Sequence, residues 1–285
     1  MKTIQKTAIA LAASGLFATA AFAQTAPAAA PEAPEASPLT ANVTVVSDYR
    51  YRGISQSNFK PAIQGGFDYA HESGFYIGNW NSSISWISDA APATANTRVT
   101  APIEMDFYGG IKKEFIGEGF ASDFGVLQYY YPTSGLNVSG TQANPNTTEL
   151  YAAQNFTFGA VTGFVKFSYS VSPIFGFANS TGSYYPDLTV NYDTGVWGLA
   201  LNAHVGYQYV AGNVQGSTTG ASNSSLYSYT DWKLGVTKDF GGGLSLSAAY
   251  IGTDAGKTGS VYNYTSPTGK NLGGSTGIVA LTKTF

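Results

Sequence analysis

The stretch WGLALNAHVGYQY, residues 197–209, alternates between apolar and polar or small side chains over thirteen consecutive positions. One set of alternate residues is apolar: Trp197, Leu199, Leu201, Ala203, Val205, Tyr207 and Tyr209. The other set is mostly small or polar: Gly198, Ala200, Asn202, His204, Gly206 and Gln208. A repeat of two predicts a β-strand with one apolar and one polar face.

The same alternation recurs along the chain. It predicts twelve strands, at residues 39–52, 61–70, 74–87, 102–115, 120–131, 148–158, 161–172, 184–194, 197–210, 226–239, 243–254 and 275–285. Most are longer than the five or six residues that are usual for strands of soluble proteins. A tilted strand that spans a membrane needs about 9–11 residues.

The connections between these strands alternate in length. Short ones such as HESG and FGGG are typical of tight turns, whereas the others are longer and rich in Ser, Thr, Asn and Gly. An antiparallel up-and-down sheet would put all short turns at one end, as bacterial outer-membrane barrels do. The sequence therefore predicts an all-β transmembrane β-barrel of the outer-membrane type with about 12 strands. A soluble β-sandwich or solenoid would leave the strand length and the aromatic content unexplained.

Composition narrows the function classes. The chain has no cysteine, its charged residues make up 11% of the total, and its net charge is −3. No basic patch indicates a nucleic-acid partner. The absence of cysteine and the separation of His71 from His204 predict no metal site, and we expect no cofactor.

The first residues are typical of export. Two lysines precede a short apolar run, and Ala21-Phe22-Ala23 fits a signal-peptidase site, so residues 1–23 are predicted to be a signal peptide. Residues 24–38 are rich in Ala, Pro and Glu and are predicted to be a flexible linker. Residues 39–285 form the predicted barrel, which we expect in the bacterial outer membrane after export to the periplasm.

The last predicted strand ends in an aromatic residue. Val279, Leu281 and Phe285 share one face, as in the assembly signals of outer-membrane barrels. Lys113, Lys238 and Lys283 fall on the predicted lipid side, close to short turns or the terminus, where a lysine can reach the interface. Expected partners are outer-membrane lipid, lipopolysaccharide, the barrel assembly machinery and small solutes. The oligomeric state is left open.

The segment SDYRYRGISQS, residues 47–57, is followed by PAIQGGFDYAHESGFYIGNW. Together they resemble the proteobacterial family of TorF-like outer-membrane porins, or Gcw_chp-domain proteins. The resemblance covers most of the chain after the linker, and its N-terminal motif is its most specific part. It implies an outer-membrane barrel with a channel role, and it implies no catalytic residue or defined substrate.

Charged residues of the polar faces are predicted to line the lumen. In the first strand these are Asp48, Arg50 and Arg52, near the outer mouth, while Tyr49 and Tyr51 are predicted to face lipid. The other predicted pore-lining residues are Asp68, Glu104, Asp106, Lys112, Glu114, Lys166, His204, Asp231 and Lys233. Asp123, Glu149 and Asp187 join them if their register is right. Acids outnumber bases, which predicts a weak preference for cations; structural ion pairing is the other interpretation of the arginines.

Signals for catalysis are weak. GGSTG, residues 273–277, matches a nucleophile-elbow pattern, but no helix is predicted after it. GTDAGKT, residues 252–258, is one residue short of a phosphate-binding loop. We therefore expect a porin-like channel for passive diffusion of small hydrophilic solutes rather than an enzyme. The alternatives are a closed structural or surface-interaction barrel with ligand-binding loops and, less favoured, an outer-membrane lipid-modifying enzyme.

Overall fold

The computed structural model describes residues 37–90, 99–136, 144–218 and 220–285. The predicted signal peptide, and the predicted linker up to residue 36, lie outside these residues. Among the described residues, no helix has the length and apolar character needed to cross a membrane.

Twelve strands make up the barrel. They are β1 (Leu39–Val46), β2 (Ala62–Ala70), β3 (Phe75–Ser83), β4 (Ile103–Gly117), β5 (Phe120–Tyr130), β6 (Thr147–Phe158), β7 (Val161–Ser170), β8 (Tyr184–Asp193), β9 (Leu199–Gln208), β10 (Tyr229–Asp239), β11 (Leu244–Thr253) and β12 (Thr276–Thr284). Each strand pairs antiparallel with its neighbours in sequence, and β12 pairs with β1 to close the sheet. The predicted fold class is confirmed.

The barrel turns its apolar face outward. Large exposed side chains recur at alternate positions, such as Val165, Leu201 and Leu234, which is 66% exposed. The residues between them face the interior, where Thr44 Oγ1 and Thr282 Oγ1 lie 2.8 Å apart across the β1–β12 seam. This is the arrangement that a membrane-spanning barrel requires, because lipid surrounds it and polar groups need partners inside.

The connections follow the predicted asymmetry. All tight turns lie at one end of the barrel, here called the short-turn end, and the long connections lie at the other, the long-loop end. In the described parts of the long connections lie two short helices, α1 (Trp86–Ala90) and α2 (Asn223–Tyr227). These connections also contain two small hairpins, Arg50–Tyr51 with Ile54–Ser55 and Lys257–Thr258 with Val261–Tyr262.

The predicted first strand, 39–52, is too long. β1 ends at Val46, and residues 47–61, here called the inner loop, fold into the barrel. Arg52 has a φ of 45° and Gly53 a φ of 77°, so the chain reverses there. A Cβ on Gly53 would lie 2.4 Å from Thr253 Cγ2 and 2.9 Å from Asp231 Cβ. Only glycine therefore allows the loop to approach β10 and β11 this closely.

Lysines near the short turns contact backbone carbonyls there. Lys238 Nζ donates to the carbonyl of Trp197, and Lys283 Nζ donates to that of Gly242. Lys113 is exposed beside a register shift in β4 that falls between Lys113 and Gly117. These positions fit charged groups at the edge of a membrane rather than at its centre.

The last strand shows the predicted facing. Val279 is 48% exposed, Leu281 49% and Phe285 72%, so all three point outward. Phe285 N donates to Ala41 O at 2.8 Å, which continues the seam to the end of the chain. The role of this strand in assembly remains a prediction.

Candidate pore constriction

Arg50 fixes the inner loop to another loop of the barrel. Its Nε lies 2.5 Å from Asp48 Oδ2, and its Nη1 donates to the carbonyls of Gly53, Leu272 and Gly274 at 2.7–3.1 Å. The side chain is completely buried. Leu272 and Gly274 belong to the connection between β11 and β12. Arg50 therefore links the inner loop to this second long loop.

Arg52 reaches across the interior. Its Nη2 donates to Glu149 Oε1 and Oε2 on β6 at 3.0 and 2.8 Å, and its Nη1 donates to Gln208 Oε1 on β9 at 2.6 Å. The guanidinium carbon lies 4.1 Å from the ring centroid of Tyr185 and 4.9 Å from that of Tyr51. Arg52 thus bridges the inner loop to strands β6, β8 and β9 across the interior of the barrel.

Two phenols of the interior bind one carboxylate. Tyr49 Oη donates to Glu104 Oε1, and Tyr131 Oη donates to Glu104 Oε2 at 2.7 Å. Burial, reinforced by the charge of Glu104, raises the pKa of the Tyr49 and Tyr131 phenols well above its usual value. Both phenols are therefore protonated and serve as donors to Glu104.

The predicted lipid-facing position of Tyr49 and Tyr51 is wrong. Tyr49 is fully buried, and its ring packs edge-on against Trp80 at 5.6 Å. Tyr51 Oη lies 2.5 Å from Tyr129 Oη inside the barrel. The reason is the early end of β1: these tyrosines belong to the inner loop, so strand alternation does not apply to them.

Asp106 lies two residues after Glu104 on the same inward face of β4. It is 7% exposed, and its Oδ1 is buried and has no hydrogen-bond partner among the described residues. Its register partners are Trp80 on β3 and Tyr129 on β5. Nearer the short-turn end, Tyr108 Oη donates to Asp68 Oδ1 at 2.5 Å.

His204 lies between two carboxylates on the opposite wall. Its Nδ1 is 2.9 Å from Asp187 Oδ1, and its Nε2 is 2.9 Å from Asp231 Oδ2. Tyr185 Oη donates to Asp231 Oδ1 at 2.8 Å. This cluster holds the Tyr185 ring on which Arg52 stacks, and His204 points into the lumen rather than toward lipid.

The short-turn end of the interior is more loosely packed. Lys112 Nζ donates to Asn155 Oδ1 at 3.3 Å, and Tyr76 Oη donates to Asp123 Oδ1 at 2.6 Å. Lys166 Nζ lies 4.2 Å from the ring centroid of Tyr151. Lys112 and Asp123 are partly buried, Lys166 is 8% exposed, and none of the three forms a direct ion pair with another described residue.

Most predicted pore-lining residues lie inside the barrel. Of the predicted residues, those that lie on strands and point inward are Asp68, Glu104, Asp106, Lys112, Lys166, His204, Asp231 and Lys233, together with Asp123, Glu149 and Asp187. Asp48, Arg50 and Arg52 are also inside, but on the inner loop rather than on β1. Their role in conduction remains a prediction.

Glu114 departs from its predicted place in the lumen. It is exposed, and its Oε1 accepts a hydrogen bond from Gly119 N at 3.0 Å in the adjoining turn. It falls in the stretch where the pairing of β4 with β5 shifts register, so the alternation of inward and outward faces ends before it.

Sequence reasoning missed the phenols and the amide that complete the constriction. They are Tyr49, Tyr51, Tyr129, Tyr131, Tyr185 and Gln208. Gly53 indicates a turn, but it falls just after the predicted first strand and therefore gives no sign that β1 ends at Val46. Which way the loop then folds depends on contacts with β10 and β11, which are remote in sequence.

Comparison with known proteins gives a family and a fold. The family model described as "Bacterial protein of unknown function (Gcw_chp)" matches residues 28–285. A comparison with curated proteins finds no match.

Among solved structures, the barrel is similar to a KdgM porin, with a TM-score of 0.50 and 6% sequence identity, covering 86% of this chain and 99% of that one. A KdgM porin in complex with disordered oligogalacturonate gives a TM-score of 0.48 and 7% identity, covering 87% and 98%. OccAB3 of Acinetobacter baumannii gives 0.41 and 8%, covering 88% and 66%. At such identities the likeness establishes the fold alone.

Proposed function

Because this chain belongs to the Gcw_chp family and folds as a closed outer-membrane-type barrel, we propose that it is a porin-like channel in the bacterial outer membrane. Small hydrophilic solutes would diffuse through its lumen passively. The outward apolar face would contact membrane lipid and lipopolysaccharide, and the barrel assembly machinery would insert the exported chain. A closer kinship with TorF-like porins is part of this proposal.

The observation that carries the proposal is the polarity of the barrel interior. A barrel that serves only as a scaffold can fill its interior with apolar side chains. Here the inward faces instead hold Lys112, Lys166, Asp123 and Asp187, and these residues lie on four different strands. Charged groups around a narrow passage select solutes by charge and size.

The inner loop sets the width of the passage. Arg52 crosses the lumen and bonds Glu149 and Gln208 on the far strands, as a constriction requires. Among the interior charges acids outnumber bases even without Glu114, so we propose a weak preference for cations. Arg52 opposes this preference, because it places a positive charge at the narrowest level.

A second candidate is a closed barrel whose long loops bind a partner. The packing of the long-loop end favours it, since Tyr49, Arg50 and Val46 are all less than 2% exposed. A lipid-modifying enzyme has no such support: His204 faces the lumen, away from the lipid that it would have to reach.

Single-channel recording of the refolded full chain in a planar bilayer tests the proposal. We expect discrete steps from the native protein. Arg52→Ala should enlarge the steps and increase the cation preference, because it removes bulk and a positive charge from the constriction. Lys60→Ala is the matched control: it removes an exposed positive charge from the same inner loop and should leave the steps unchanged.

Absence of steps from folded protein, in the native chain and in Arg52→Ala alike, would contradict the channel and favour the closed barrel. Equal changes in Arg52→Ala and Lys60→Ala would show a general charge effect and would contradict the proposal that the inner loop forms the constriction.

A further inference from the structure

One buried carboxylate of the interior has neither an ion pair nor a hydrogen bond to its side chain from the described residues. Asp106 is 7% exposed, and its Oδ1 accepts no hydrogen bond from the described residues. A buried ionised carboxylate that lacks a partner is strongly unfavourable, so it must take up a proton or a cation.

The neighbouring carboxylates are already satisfied. Glu104 accepts hydrogen bonds from Tyr49 and Tyr131, and Glu149 accepts from Arg52. Glu104 lies two positions before Asp106 on the same inward face of β4. Tyr129, the register partner of Asp106, donates its Oη to Glu149 Oε2 at 3.3 Å, so both nearby carboxylates have the same sign as Asp106. Among the described residues, Arg52 is the arginine nearest this level and is committed to Glu149, so Asp106 remains in a locally negative surrounding.

The side chains beside Asp106 offer further oxygen atoms. Tyr129 is the register partner of Asp106 on β5, so the two inward side chains are direct neighbours. Tyr51 Oη lies 2.5 Å from Tyr129 Oη, which brings a second phenol oxygen close. Carboxylate and hydroxyl oxygens are ligands suited to hard cations.

We propose that the Asp106 carboxylate, beside Glu104 and the phenols of Tyr51 and Tyr129, binds a small monovalent inorganic cation, K⁺ or Na⁺. This inference rests on the proposed channel and specifies what produces its cation preference. The bound cation sits at the base of the packed inner loop, where a passing cation would meet the constriction.

The geometry favours a monovalent cation over a tightly chelated metal. Among the residues that the structure describes, no group of three His, Cys, Asp or Glu side chains is placed to hold a metal ion. A site with one free carboxylate and neutral oxygens binds weakly, which suits conduction, because an ion has to enter and leave.

Binding is tested by thermal unfolding of the full-length folded barrel at constant ionic strength. K⁺ is replaced stepwise by N-methyl-D-glucamine, a cation too large to fit between these side chains. We expect a higher midpoint in K⁺ than in the large cation, because a ligand of the folded state alone stabilises it. Asp106→Asn should abolish this difference, since it removes the charge and keeps the shape.

Glu72→Gln is the matched control, because it removes an exposed carboxylate from a short turn. It should retain the K⁺ effect of the native protein. Asp106→Glu, which retains the carboxylate, should keep at least part of it, and this variant guards against failure of Asp106→Asn to fold.

Equal midpoints of the native protein in both cations would overturn the proposal and leave Asp106 as a protonated acid. A K⁺ effect that persists in Asp106→Asn would overturn it as well. The readout does not depend on conduction: K⁺ stabilisation without channel steps would retain the cation site and reject the channel. Channel steps without K⁺ stabilisation would retain the channel and reject the cation site.

Discussion

The two ends of the barrel interior differ in how they are filled. At the long-loop end, the inner loop brings in Tyr49 and Arg50, and α1 adds Ile87, all of which are less than 4% exposed. At the short-turn end, no segment described by the structure enters, and Lys112 and Asp123 remain only partly buried on the walls. One end resembles the core of a soluble protein, and the other resembles the wall of a channel.

The difference shows that the alternation of strand residues determines the barrel wall, whereas the packing of the interior is determined by the segments that fold into it. The same alternation of residues builds the wall at both ends, yet the interior is packed only where the inner loop and α1 fill it. Loss of an interior contact should therefore destabilise the protein at one end and change little at the other.

Removal of the carboxylate that pairs with Arg52 should have the largest effect. Glu149→Ala leaves Arg52, whose side chain is 6% exposed, without its charged partner. Loss of one member of a buried ion pair typically destabilises by about 3–5 kcal/mol. Urea unfolding of the folded protein should show this loss, and the double variant Arg52→Ala/Glu149→Ala should recover part of it.

Asp123→Ala is the counterpart at the short-turn end. It removes one hydrogen bond from Tyr76 in a looser surrounding and should cost only about 1 kcal/mol. Equal losses for Glu149→Ala and Asp123→Ala would erase the distinction between the ends.

Access to water should differ strongly between the ends. The chain has no cysteine, so a single introduced thiol reports on one position. Lys112→Cys should react rapidly with a water-soluble maleimide, whereas Ser82→Cys, at a position that is 1% exposed, should react only when the packed end opens. An opening that costs about 3 kcal/mol slows labelling on the order of a hundredfold. Similar rates would mean that both ends are open.

A single methyl group should test how tightly the base of the constriction is packed. A Cβ on Gly206 would lie 2.1 Å from Tyr185 Oη, so Gly206→Ala should destabilise by about 1–3 kcal/mol and displace the ring beneath Arg52. Gly277→Ala is the control, because no atom lies within 4 Å of its added Cβ. Urea unfolding compares the two, and an equal cost for both would contradict tight packing at Tyr185.

The smallest effect is expected at Glu114. Glu114→Gln keeps the acceptor for Gly119 N and removes an exposed charge outside the lumen. Stability should change by less than about 0.5 kcal/mol, and the reversal potential of the channel should stay the same. A clear shift in reversal potential would show that Glu114 influences the permeating ions and lines the lumen after all.

The wall was readable from the sequence because alternation is local. Leu201 and His204 point to opposite sides as their spacing predicts. The side chain of Glu149, whose register was uncertain from the sequence, points inward. The constriction could not be predicted, because Tyr49 and Arg52 lie in a loop that has left the sheet. Their partners, Glu104 and Glu149, are 55 and 97 residues away in sequence. A period-two rule has no information about a segment that has left the sheet.

The seam between β1 and β12 has a consequence for the order of folding. Every other neighbour in the barrel is also a neighbour in sequence, whereas Thr44 and Thr282 are 238 residues apart. Hairpins can therefore form early and one after another, but β1 keeps an open edge until β12 arrives. The slowest step of folding is then the closure of the ring, and that single step removes both of its edges at once.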